Sequence, residues 1–448
     1  MKLSEIHATL KRIRVSPVKT LGQNFLHDQN LARWIVDQAQ ITPEDYVVEI
    51  GPGLGALTKF LLEKGAHVLA IEKDPRLAMF LRSRFESGRL EILNMDALKF
   101  DARVLFSQRS VKLIGNLPYN ISSPLLMRFM EQPSSISLML LMLQKEMAKR
   151  LSASPSTSDY GALTLRVQLD HHVKYLRTVP ATVFLPRPDV DSAVVRVVPR
   201  DPVELPAHDP ELLLNLIRIG FSQRRKQLRK LLREYAPDWN ALACCVNIDA
   251  NSRAEELSLM EWIALANYVS PAPPNDTCSS PNELFPVVDN DDRVCGYRSR
   301  AEVHGNNLCH RAVHILILNQ SGSVYLQQRS RLKDRHPLKW DSSAAGHVTD
   351  GEDYDETAQR ELREELGVDV PLERIFKLNA SSRTDQEFIC GYRGVVSGSL
   401  APNRSEIERG VFLAPAVIDG WASARPADFA PAFLECWKAY RKINSERD

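Results

Sequence analysis

The segment VVEIGPGLGALT, from Val47 to Thr58, decides the fold of the first half of this chain of 448 residues. Its β-branched beginning predicts a buried strand, and its end predicts the start of a helix. Between them, Gly51, Gly53 and Gly55 let the backbone turn tightly and approach a ligand at the helix N-terminus. With Ala56, the run also fits the loose G-x-G-x-x-G/A pattern of nucleotide sites. It therefore predicts either a nucleotide-like cofactor or a purely structural turn.

Strand and helix patterns alternate along the following residues. Strands are predicted in HVLAIE (67–72), LEILNMD (90–96) and VKLIGN (111–116), with helices near Leu57–Lys64 and Arg76–Glu86. This alternation predicts an α/β fold with a mostly parallel sheet and helices on both faces. Because parallel strands end at one edge of a sheet, their last residues should line a common crevice.

Two acidic residues stand at the ends of these predicted strands. Glu72 ends the second strand, where a carboxylate can accept hydrogen bonds from both hydroxyls of a ribose. Asp96 ends the third strand, where it can accept a hydrogen bond from the exocyclic amine of an adenine. The glycine turn alone fits a nicotinamide dinucleotide as well as S-adenosylmethionine, and the two acidic residues suit either of them. The identity of the cofactor therefore stays open at this point.

The segment GNLPYN, Gly115 to Asn120, ends the fourth strand beside the same crevice. Asn, Gly and Pro are ordinary turn residues, so a simple turn is one interpretation. The other is a pocket for an adenine, whose amine is a poor nucleophile. The Asn116 side-chain oxygen and a backbone carbonyl of Leu117–Pro118 could accept its two N–H groups, while the Tyr119 ring stacks on the base. This combination favours the pocket, which an unstacked base would enter.

Seven motifs occur in the order typical of one enzyme family and span about residues 10–270. They are LGQNFL (21–26), EIGPGLGALT (49–58), IEKD (71–74), NMDA (94–97), GNLPYNISSPLL (115–126), FLPRPDVDSAVV (184–195) and GFSQRRKQLRKLL (220–232). The chain thus resembles the small-subunit ribosomal RNA adenine dimethyltransferases. That resemblance implies a Rossmann-like S-adenosylmethionine-dependent methyltransferase sheet with a small C-terminal helical domain. It also implies N6,N6-dimethylation of two adjacent adenosines near the 3′ end of small-subunit rRNA, in the RNA or in a pre-30S ribosomal particle.

The resemblance also assigns roles to single residues. It implies that Tyr119 and Phe184 hold the target base and that Asn116 contacts both the base and the cofactor. The other residues that it places around the cofactor are Asn24, Leu26, Gly51, Glu72 and Asp96. Without the resemblance, Phe184 is equally well explained as a core aromatic residue, and Leu26 is a core residue by default.

The run GFSQRRKQLRKLLREY, Gly220 to Tyr235, is predicted to form a basic helix with its leucines on one side. Such a run is either a solvated face or a surface that follows a phosphate backbone. Charge favours the second interpretation, since residues 1–270 carry a balance of +6 and the remainder −5. The resemblance favours it too. The residues that it implies in RNA contact are Arg224, Arg225, Lys226 and Arg229.

A second catalytic motif is GHVTDGEDYDETAQRELREELGV, Gly346 to Val368. It matches G-x5-E-x7-R-E-U-x-E-E-x-G-U, with U aliphatic, at every fixed position. Glu361, Glu364 and Glu365 stand at i, i+3 and i+4, so three carboxylates share one helical face. Crowded carboxylates need a cation, and their hard oxygens suit Mg²⁺ or Mn²⁺, which also bind phosphates. The alternative is an acidic surface helix that ends at Gly367.

This motif is the Nudix box, and residues 284–448 resemble Nudix hydrolases of α/β/α architecture. The branch similar to isopentenyl-diphosphate isomerase is suggested by CHRAVHILILN, LQQRS and KWDSSAAGHV. That isomerase needs a Cys shortly after the Trp, yet Trp340 is followed by Asp341, Ser342 and Ser343. Metal-dependent hydrolysis of a nucleoside diphosphate derivative is therefore the predicted reaction. A Nudix module used only for binding is the alternative.

The prolines of SPAPPNDTCSSPNE, Ser270 to Glu283, predict a linker between the two halves. The sequence LFPVVDNDDRVCGYRS directly after it predicts a β-hairpin. The predicted domains are a Rossmann-like methyltransferase domain (1–200), a helical RNA-binding domain (201–270), a linker (271–283) and a Nudix hydrolase domain (284–448).

Cysteine usage and hydropathy bear on the compartment. The seven cysteines show no CxxC pair and no metal-like spacing with histidine, which fits reduced thiols. The N-terminal sequence lacks the apolar core of a signal peptide, and no run approaches the length of a membrane span. We therefore expect a cytoplasmic protein without a membrane partner.

Two other functions compete with methyl transfer. One is an RNA-binding ribosome-assembly factor, which would not need the pocket of Asn116 and Tyr119 beside Glu72 and Asp96. The other is a NAD-linked oxidoreductase, in which the sequence NLPY has no role in hydride transfer. The pocket therefore favours the dimethyltransferase.

Overall fold

The computed structural model describes Met1 and residues 3–17, 23–119, 121–270 and 283–445. It divides into two compact units, Met1–Pro271 and Ala272–Asp448. The predicted linker at 271–283 lies outside the described residues except for Glu283. Leu21, Gly22 and Asn120 of the quoted motifs also lie outside them.

The first unit alternates helices and strands over most of its length. Its helices are α1 (Leu3–Arg12), α2 (Gln29–Gln38), α3 (Thr58–Glu63), α4 (Pro75–Arg84), α5 (Ser122–Phe129), α6 (Lys145–Leu151), α7 (Ala162–Asp170), α8 (Pro210–Gly220), α9 (Leu228–Leu231), α10 (Trp239–Val246) and α11 (Leu259–Val269). Its strands are β1 (Phe25–Leu26), β2 (Tyr46–Ile50), β3 (His67–Glu72), β4 (Leu90–Asn94), β5 (Val111–Asn116), β6 (Ile136–Gln144), β7 (His171–Val179), β8 (Phe184–Leu185) and β9 (Ser192–Pro199). Aspartates cap several helices; Asp28 and Asp74, for example, accept backbone N–H bonds at the starts of α2 and α4.

Seven of these strands form one sheet in the order β4-β3-β2-β5-β6-β9-β7. Strands β2 to β6 pair in parallel, and β9 and β7 add an antiparallel edge. Chain order therefore reverses at β2, which lies between β3 and β5. Such a reversal opens a crevice at the carboxyl ends of the strands.

Helices cover both faces of this sheet because side chains alternate along each strand. On one face, Val48 and Leu113 pack with Leu125 and Phe129 of α5. On the other, Val47 joins a cluster that includes residues of α2, α3 and α4. The predicted Rossmann-like α/β architecture is confirmed.

Helices α8, α10 and α11 share a hydrophobic cluster that also takes in Leu165 and Leu169 of α7. Trp262 of α11 is fully buried in it. The small helical part is thus joined to the first unit by a common core.

The predicted basic helix from Gly220 to Tyr235 is wrong in extent, since only Gly220, the last residue of α8, and α9 are α-helical within it. At Gly220, a Cβ would lie 2.5 Å from the Trp262 ring. The ring of Phe221 then stacks on Trp262, with centroids 6.1 Å apart, and the chain turns. Helix α9 begins at Leu228, whose N–H donates to the Ser252 carbonyl at 3.0 Å. Tertiary packing therefore overrides a strong helical pattern.

The second unit is a mixed α/β structure. Its helices are α12 (Arg300–Gly305), α13 (Tyr354–Leu366), α14 (Pro415–Ala424) and α15 (Pro431–Ser445). Its strands are β10 (Leu284–Val288), β11 (Val294–Ser299), β12 (His310–Leu318), β13 (Val324–Arg329), β14 (Trp340–Asp341), β15 (Ala344–His347), β16 (Glu373–Leu378), β17 (Glu387–Val395) and β18 (Ile407–Leu413). Strands β10 and β11 form the predicted antiparallel hairpin.

The main sheet of the second unit follows the order β14-β13-β12-β17-β16, with β15 beside β12 and β18 beside β13. One face packs Val313, Ile315 and Ile317 of β12 against α13. Ala312 faces the other way, toward Cys436 of α15. Helices on both faces agree with the predicted α/β/α architecture.

Among the described residues, every helix is too short or too polar to cross a membrane.

Candidate functional site

The first unit has a cavity at the carboxyl edge of its parallel sheet, where β2, β3 and β5 end. Five of the residues predicted to surround a cofactor line it together. They are Asn24, Gly51, Glu72, Asp96 and Asn116. Four of them meet because β4, β3, β2 and β5 are neighbours and each strand delivers its last residues to the same edge, whereas Asn24 comes from the segment before β1.

The glycine turn forms one wall of this cavity. Gly51 and Gly53 have φ angles of +64° and +58°, which only glycine adopts without strain. The N–H of Gly53 donates to Oε2 of Glu72 at 3.1 Å, and the N–H of Asp74 donates to its Oε1 at 2.9 Å. Burial raises the pKa of Glu72, and these two backbone bonds lower it in part. The carboxylate therefore holds the turn in place at the wall where the sequence predicts ribose binding.

Asp96 lines the opposite part of the cavity and already has two partners. Lys73 Nζ lies 2.8 Å from its Oδ2, and the N–H of Leu98 donates to its Oδ1 at 3.0 Å. The hydrogen bond from Lys73, followed by that from Leu98, lowers the pKa of Asp96. An adenine amine at this carboxylate would have to share it with Lys73 or displace that side chain, which is about half exposed.

The side chain of Asn116 has a defined orientation. Its Nδ2 donates to the carbonyl of Asn24 at 3.1 Å, which keeps Oδ1 available as an acceptor. Tyr119, three residues later, bonds through its hydroxyl to Oγ of Ser192 in β9 at 2.5 Å. Burial raises the pKa of Tyr119. Asn116 and Pro118 line the cavity, whereas Tyr119 lies beside it.

Leu26 and Phe184 lie away from the cavity lining. They pair with each other across the short antiparallel ladder of β1 and β8. Both pack in the hydrophobic cluster under α2 and α3, with 6% and 3% of their surfaces exposed. Both residues are therefore core residues in this structure. Their roles toward the cofactor and the target base stay predictions.

Several lining residues escaped the sequence analysis. Apolar walls come from Phe25, Met95 and Leu125, and a cation comes from Lys73. Phe25 and Met95 stand beside predicted residues, so adjacency could have suggested them. The orientation of Lys73 toward Asp96 has no sequence signal.

The four cations predicted to contact RNA are all exposed. Arg224 donates to the carbonyl of Ser158 at 2.6 Å and lies 3.7 Å from Glu255. Arg229 donates to Oε1 of Gln227 at 2.9 Å. Arg225 and Lys226 lie in the turn before α9. Arg224, Arg225 and Lys226 thus present positive charge to solvent from a turn, and Arg229 does so from the short helix α9.

The second unit holds a polar cavity of about 650 Å³. The three predicted metal ligands, Glu361, Glu364 and Glu365, line it from α13. Arg360 links them, since its Nη1 donates to Glu361 at 2.8 Å and to Glu364 at 3.0 Å. The helix thus brings the carboxylates of the motif together as its spacing predicts.

The electrostatics of this cavity favour a bound cation. Glu365 is buried and Glu361, one helical turn before it, is partly buried; burial together with the Glu365 charge raises the pKa of Glu361 to about 7. Burial also raises the pKa of Glu365. Both carboxyl groups thus lose their protons less readily than an ordinary glutamate, and a divalent cation would stabilise their ionised forms. Glu364 adds a third carboxylate from the exposed side of the helix. These residues therefore fit Mg²⁺ or Mn²⁺.

Gly346 makes room for this arrangement. A Cβ built on Gly346 would lie 2.6 Å from Cγ of Glu361 and would overlap its carboxylate. Gly346 belongs to β15, which packs against α13. The first residue of the motif therefore leaves room for the Glu361 side chain in the second half of the motif.

A second donor set, which was missed by the sequence analysis, lies beside this cavity; His304 and His347 line the cavity, and His310 is buried next to them. Nitrogen atoms of His304, His310 and His347 lie within 4.8 Å of one another. Burial lowers the pKa of His347 to about 3, so its ring stays neutral, and its Nε2 lies 3.1 Å from Glu387 Oε1. Neutral imidazoles bind transition-metal ions. The uneven sequence spacing of these histidines gives no recognisable motif.

Comparisons with known proteins agree with this division of the chain. A family model for ribosomal RNA adenine dimethylase matches residues 16–270, and a NUDIX domain model matches residues 309–433. Ribosomal RNA small subunit methyltransferase A of Chlorobium phaeobacteroides is 41% identical over 263 residues, which cover 59% of this chain and 97% of that protein. The protein of the same name from Alcanivorax borkumensis is 42% identical over 265 residues, which cover 59% and 94%. A crystal structure of a dimethyladenosine transferase from Plasmodium falciparum is 27% identical, covers 54% of this chain and 95% of that one, and has a TM-score of 0.45.

Proposed function

Because the chain belongs to the ribosomal RNA adenine dimethylase family, we propose that its first unit methylates N6 of two adjacent adenosines near the 3′ end of small-subunit rRNA. S-adenosylmethionine would be the cofactor, and the substrate would be the rRNA or a pre-30S particle. We also propose that the second unit, which carries the NUDIX domain, hydrolyses a nucleoside diphosphate derivative with Mg²⁺ or Mn²⁺.

The position of Asn116 carries the first proposal. Its amide nitrogen is occupied by the carbonyl of Asn24, so its oxygen is the atom left to receive an N–H donor in the cavity. The cavity combines this acceptor with Glu72 and Asp96. A protein that only binds RNA does not need such a set of polar groups in a cavity.

The cavity also fits the proposed cofactor. A Cβ at position 51 would lie 3.6 Å from the backbone carbonyl of Asn116, in the space between the two loops. Because Gly51 has no Cβ, this space is free, and a ligand can approach the backbone of both loops. Glu72 would accept hydrogen bonds from the ribose, Asp96 would accept one from the adenine amine, and Asn24 would complete the lining, with Leu26 packed outside it. When bound, S-adenosylmethionine supplies a methyl group carried on a positive sulfur.

The residues of the chain would prepare the target amine for this methyl group. Asn116 Oδ1 and a backbone carbonyl of Leu117–Pro118 would accept its two N–H groups and favour a pyramidal nitrogen with a localised lone pair. The rings of Tyr119 and Phe184 would hold the unstacked base, and stacking contributes about 1–3 kcal/mol. Arg224, Arg225, Lys226 and Arg229 would contact RNA phosphates.

The test uses purified protein, unmethylated small subunits and labelled cofactor. We expect dimethyladenosine in the rRNA and a loss of at least about 100-fold in transfer for Asn116→Ala, the size of effect seen when one positioned polar group is removed from a reacting centre. Binding of the cofactor should persist. Asn30→Ala, at an exposed position of α2, is the matched control and should transfer normally. A chain that binds cofactor and RNA but leaves the adenosines unmodified would support the RNA-binding alternative.

The carboxylate pair of Glu361 and Glu365 supports the second proposal. The cavity also contains the cations Arg329, Lys333 and Arg335, which suit the phosphates of a substrate. A divalent cation, when bound, would polarise the diphosphate and lower the pKa of a coordinated water. The carboxylates of α13 would hold that cation, and Arg360 would keep them aligned.

Hydrolysis is better supported than isomerisation. None of the described residues that line the cavity is a cysteine. The segment from Trp340 to His347, in which the isomerase would need its cysteine, also contains none, and Ala345 stands two residues before His347. The described cavity thus lacks the cysteine that the isomerase reaction needs, which supports hydrolysis as the proposed reaction.

Phosphate release from a panel of nucleoside diphosphate derivatives with Mg²⁺ tests the second proposal. Glu364→Gln and Glu365→Gln should abolish most of the release, because each removes a charged ligand. Glu356→Gln is the matched control, since this exposed glutamate lies on the same helix outside the cavity. Equal rates in all three variants would leave the module a binding domain.

A further inference from the structure

A cluster of positive charge lies at the C-terminal end of α1 in the first unit. Lys11, Arg12 and Arg14 are all exposed. None of them forms a salt bridge with a residue that the structure describes. We name these three residues the α1 cluster.

The α1 cluster stands on a rigid support. Ile6 and Leu10 of α1 are buried against Leu77 and Phe80 of α4. The Arg12 guanidinium lies over the Phe80 ring at 6.0 Å from its centroid. The backbone that carries the cluster is therefore fixed in the fold, so its cations can recognise a partner without first ordering the chain.

A groove runs between α1 and α4 beside the cluster. It encloses about 760 Å³, and its charged lining consists of Arg12, Arg76, Arg84 and a single acidic residue, Glu5. Met79, with 61% of its surface exposed, lies in the same groove. A surface of this sign attracts a polyanion.

One residue of the groove lining, Arg76, lies near the edge of the sheet where the cofactor cavity lies. Helix α4 begins at Pro75, directly after the carboxyl end of β3, so Arg76 stands close to Glu72. Asp74 joins them, because its N–H donates to Glu72 while its carboxylate pairs with Arg76 at 2.8 Å. Arg76 Nη1 in turn donates to the carbonyl of Arg14 at 3.0 Å. One chain of bonds thus leads from the cavity wall to the α1 cluster.

We propose that the α1 cluster contacts phosphates of the substrate RNA next to the adenosines that enter the cavity. This proposal rests on the proposed function of the first unit, and it adds a second RNA surface to the one around Arg224. Two surfaces on the same unit would fix the direction in which the strand crosses the cavity, since phosphate contacts set register without reading sequence.

The experiment measures binding of the full chain to unmethylated small subunits and to the RNA extracted from them, over a series of KCl concentrations. The test variant replaces Lys11, Arg12 and Arg14 together by Gln. The matched control replaces Lys64, Arg89 and Arg109 by Gln, because these exposed cations precede β3, β4 and β5 at the opposite edge of the same sheet. A third variant exchanges Lys and Arg at the cluster and keeps the charge.

We expect the test variant to bind the extracted RNA roughly tenfold more weakly at about 0.1 M salt, with the slope of log K against log salt reduced by about 2 for three lost contacts. The control and the charge-keeping variant should bind like the unmodified chain. Binding of S-adenosylmethionine should be equal in all variants, which shows that the fold is intact.

Three results would overturn the proposal. The first is a test variant with the affinity and salt slope of the control, while the unmodified chain still binds and methylates. The second is a loss seen with small subunits but not with their extracted RNA, which would assign the cluster to a ribosomal protein. The third is an unmodified chain that neither binds nor methylates RNA, and this result would overturn the proposed function as well.

Discussion

Replacement of Gly346 by Ala should disable the acidic site of the second unit without changing a single charge. The new Cβ would lie 2.6 Å from Cγ of Glu361, whereas ordinary contacts of a Cβ lie at 3.4–4 Å. The Glu361 side chain must therefore move by about 1 Å, since the backbone of β15 is held by its pairing with β12.

Such a movement acts on the site in two ways. It breaks the hydrogen bond that Glu361 accepts from Arg360 at 2.8 Å, and it changes the separation of Glu361 from Glu365. A misplacement of about 1 Å at a reacting centre can cost about 100-fold in rate, so we expect a loss of this order in phosphate release. Overpacking should also lower the free energy of unfolding by about 1–3 kcal/mol.

The assay measures Mn²⁺ binding to the full chain by calorimetry, beside phosphate release with Mg²⁺. Gly398→Ala is the control, because a Cβ at Gly398 meets nothing within 4 Å. Shortening the glutamate should partly relieve the overlap. Glu361→Asp should therefore weaken Mn²⁺ binding less in the Gly346→Ala background than in the unmodified chain, a coupling that a double-mutant cycle detects.

The reasoning would be refuted if Gly346→Ala bound Mn²⁺ as tightly as the unmodified chain. It would also fail if the two substitutions were additive, because additivity means that Gly346 and Glu361 do not compete for the same space. Loss of S-adenosylmethionine binding by the first unit would indicate general misfolding and is not expected.

Other consequences of the structure can be tested in the same preparations. Because burial raises the pKa of Glu361 to about 7 from 4.5, the unfolded chain releases this proton at lower pH than the folded chain. The second unit should thus lose about 3 kcal/mol of stability between pH 5 and 8, and urea unfolding should show a smaller loss in Glu361→Gln or with saturating Mg²⁺. Tyr119→Phe should keep most methyl transfer, whereas Tyr119→Leu should lower kcat/KM by roughly tenfold or more through lost stacking, as steady-state rates would show. Glu72→Gln should weaken S-adenosylmethionine binding about tenfold in calorimetry, because one of the two backbone bonds from Gly53 and Asp74 loses its acceptor.

The positions that the sequence predicts well are those fixed by local rules. Glu72 and Asn116 are the last residues of parallel strands, and parallel strands deliver their ends to one edge. Glu361, Glu364 and Glu365 are brought together by the helical period alone. In both cases the distance between residues follows from one secondary-structure element or from one pairing rule.

The positions that it predicts poorly depend on contacts between distant segments. Phe184 is buried because β8 pairs with β1, which lies far away in the sequence. The basic run turns at Phe221 because Trp262 packs there, again from a distant helix. The pairing of Lys73 with Asp96 depends on a side-chain orientation, which no spacing encodes.

The glycines of the two sites show why one residue type in a motif can have two physical meanings. Gly51 is required by its backbone, since φ is +64° and a side chain there is strained even where space is open. Gly346 is required by its neighbour, because a Cβ would occupy the place of the Glu361 carboxylate. The two requirements respond differently to a second substitution. Strain at position 51 stays whatever surrounds it, whereas the overlap at position 346 decreases when the residue at 361 becomes shorter, so only the second glycine should show coupling to its neighbour.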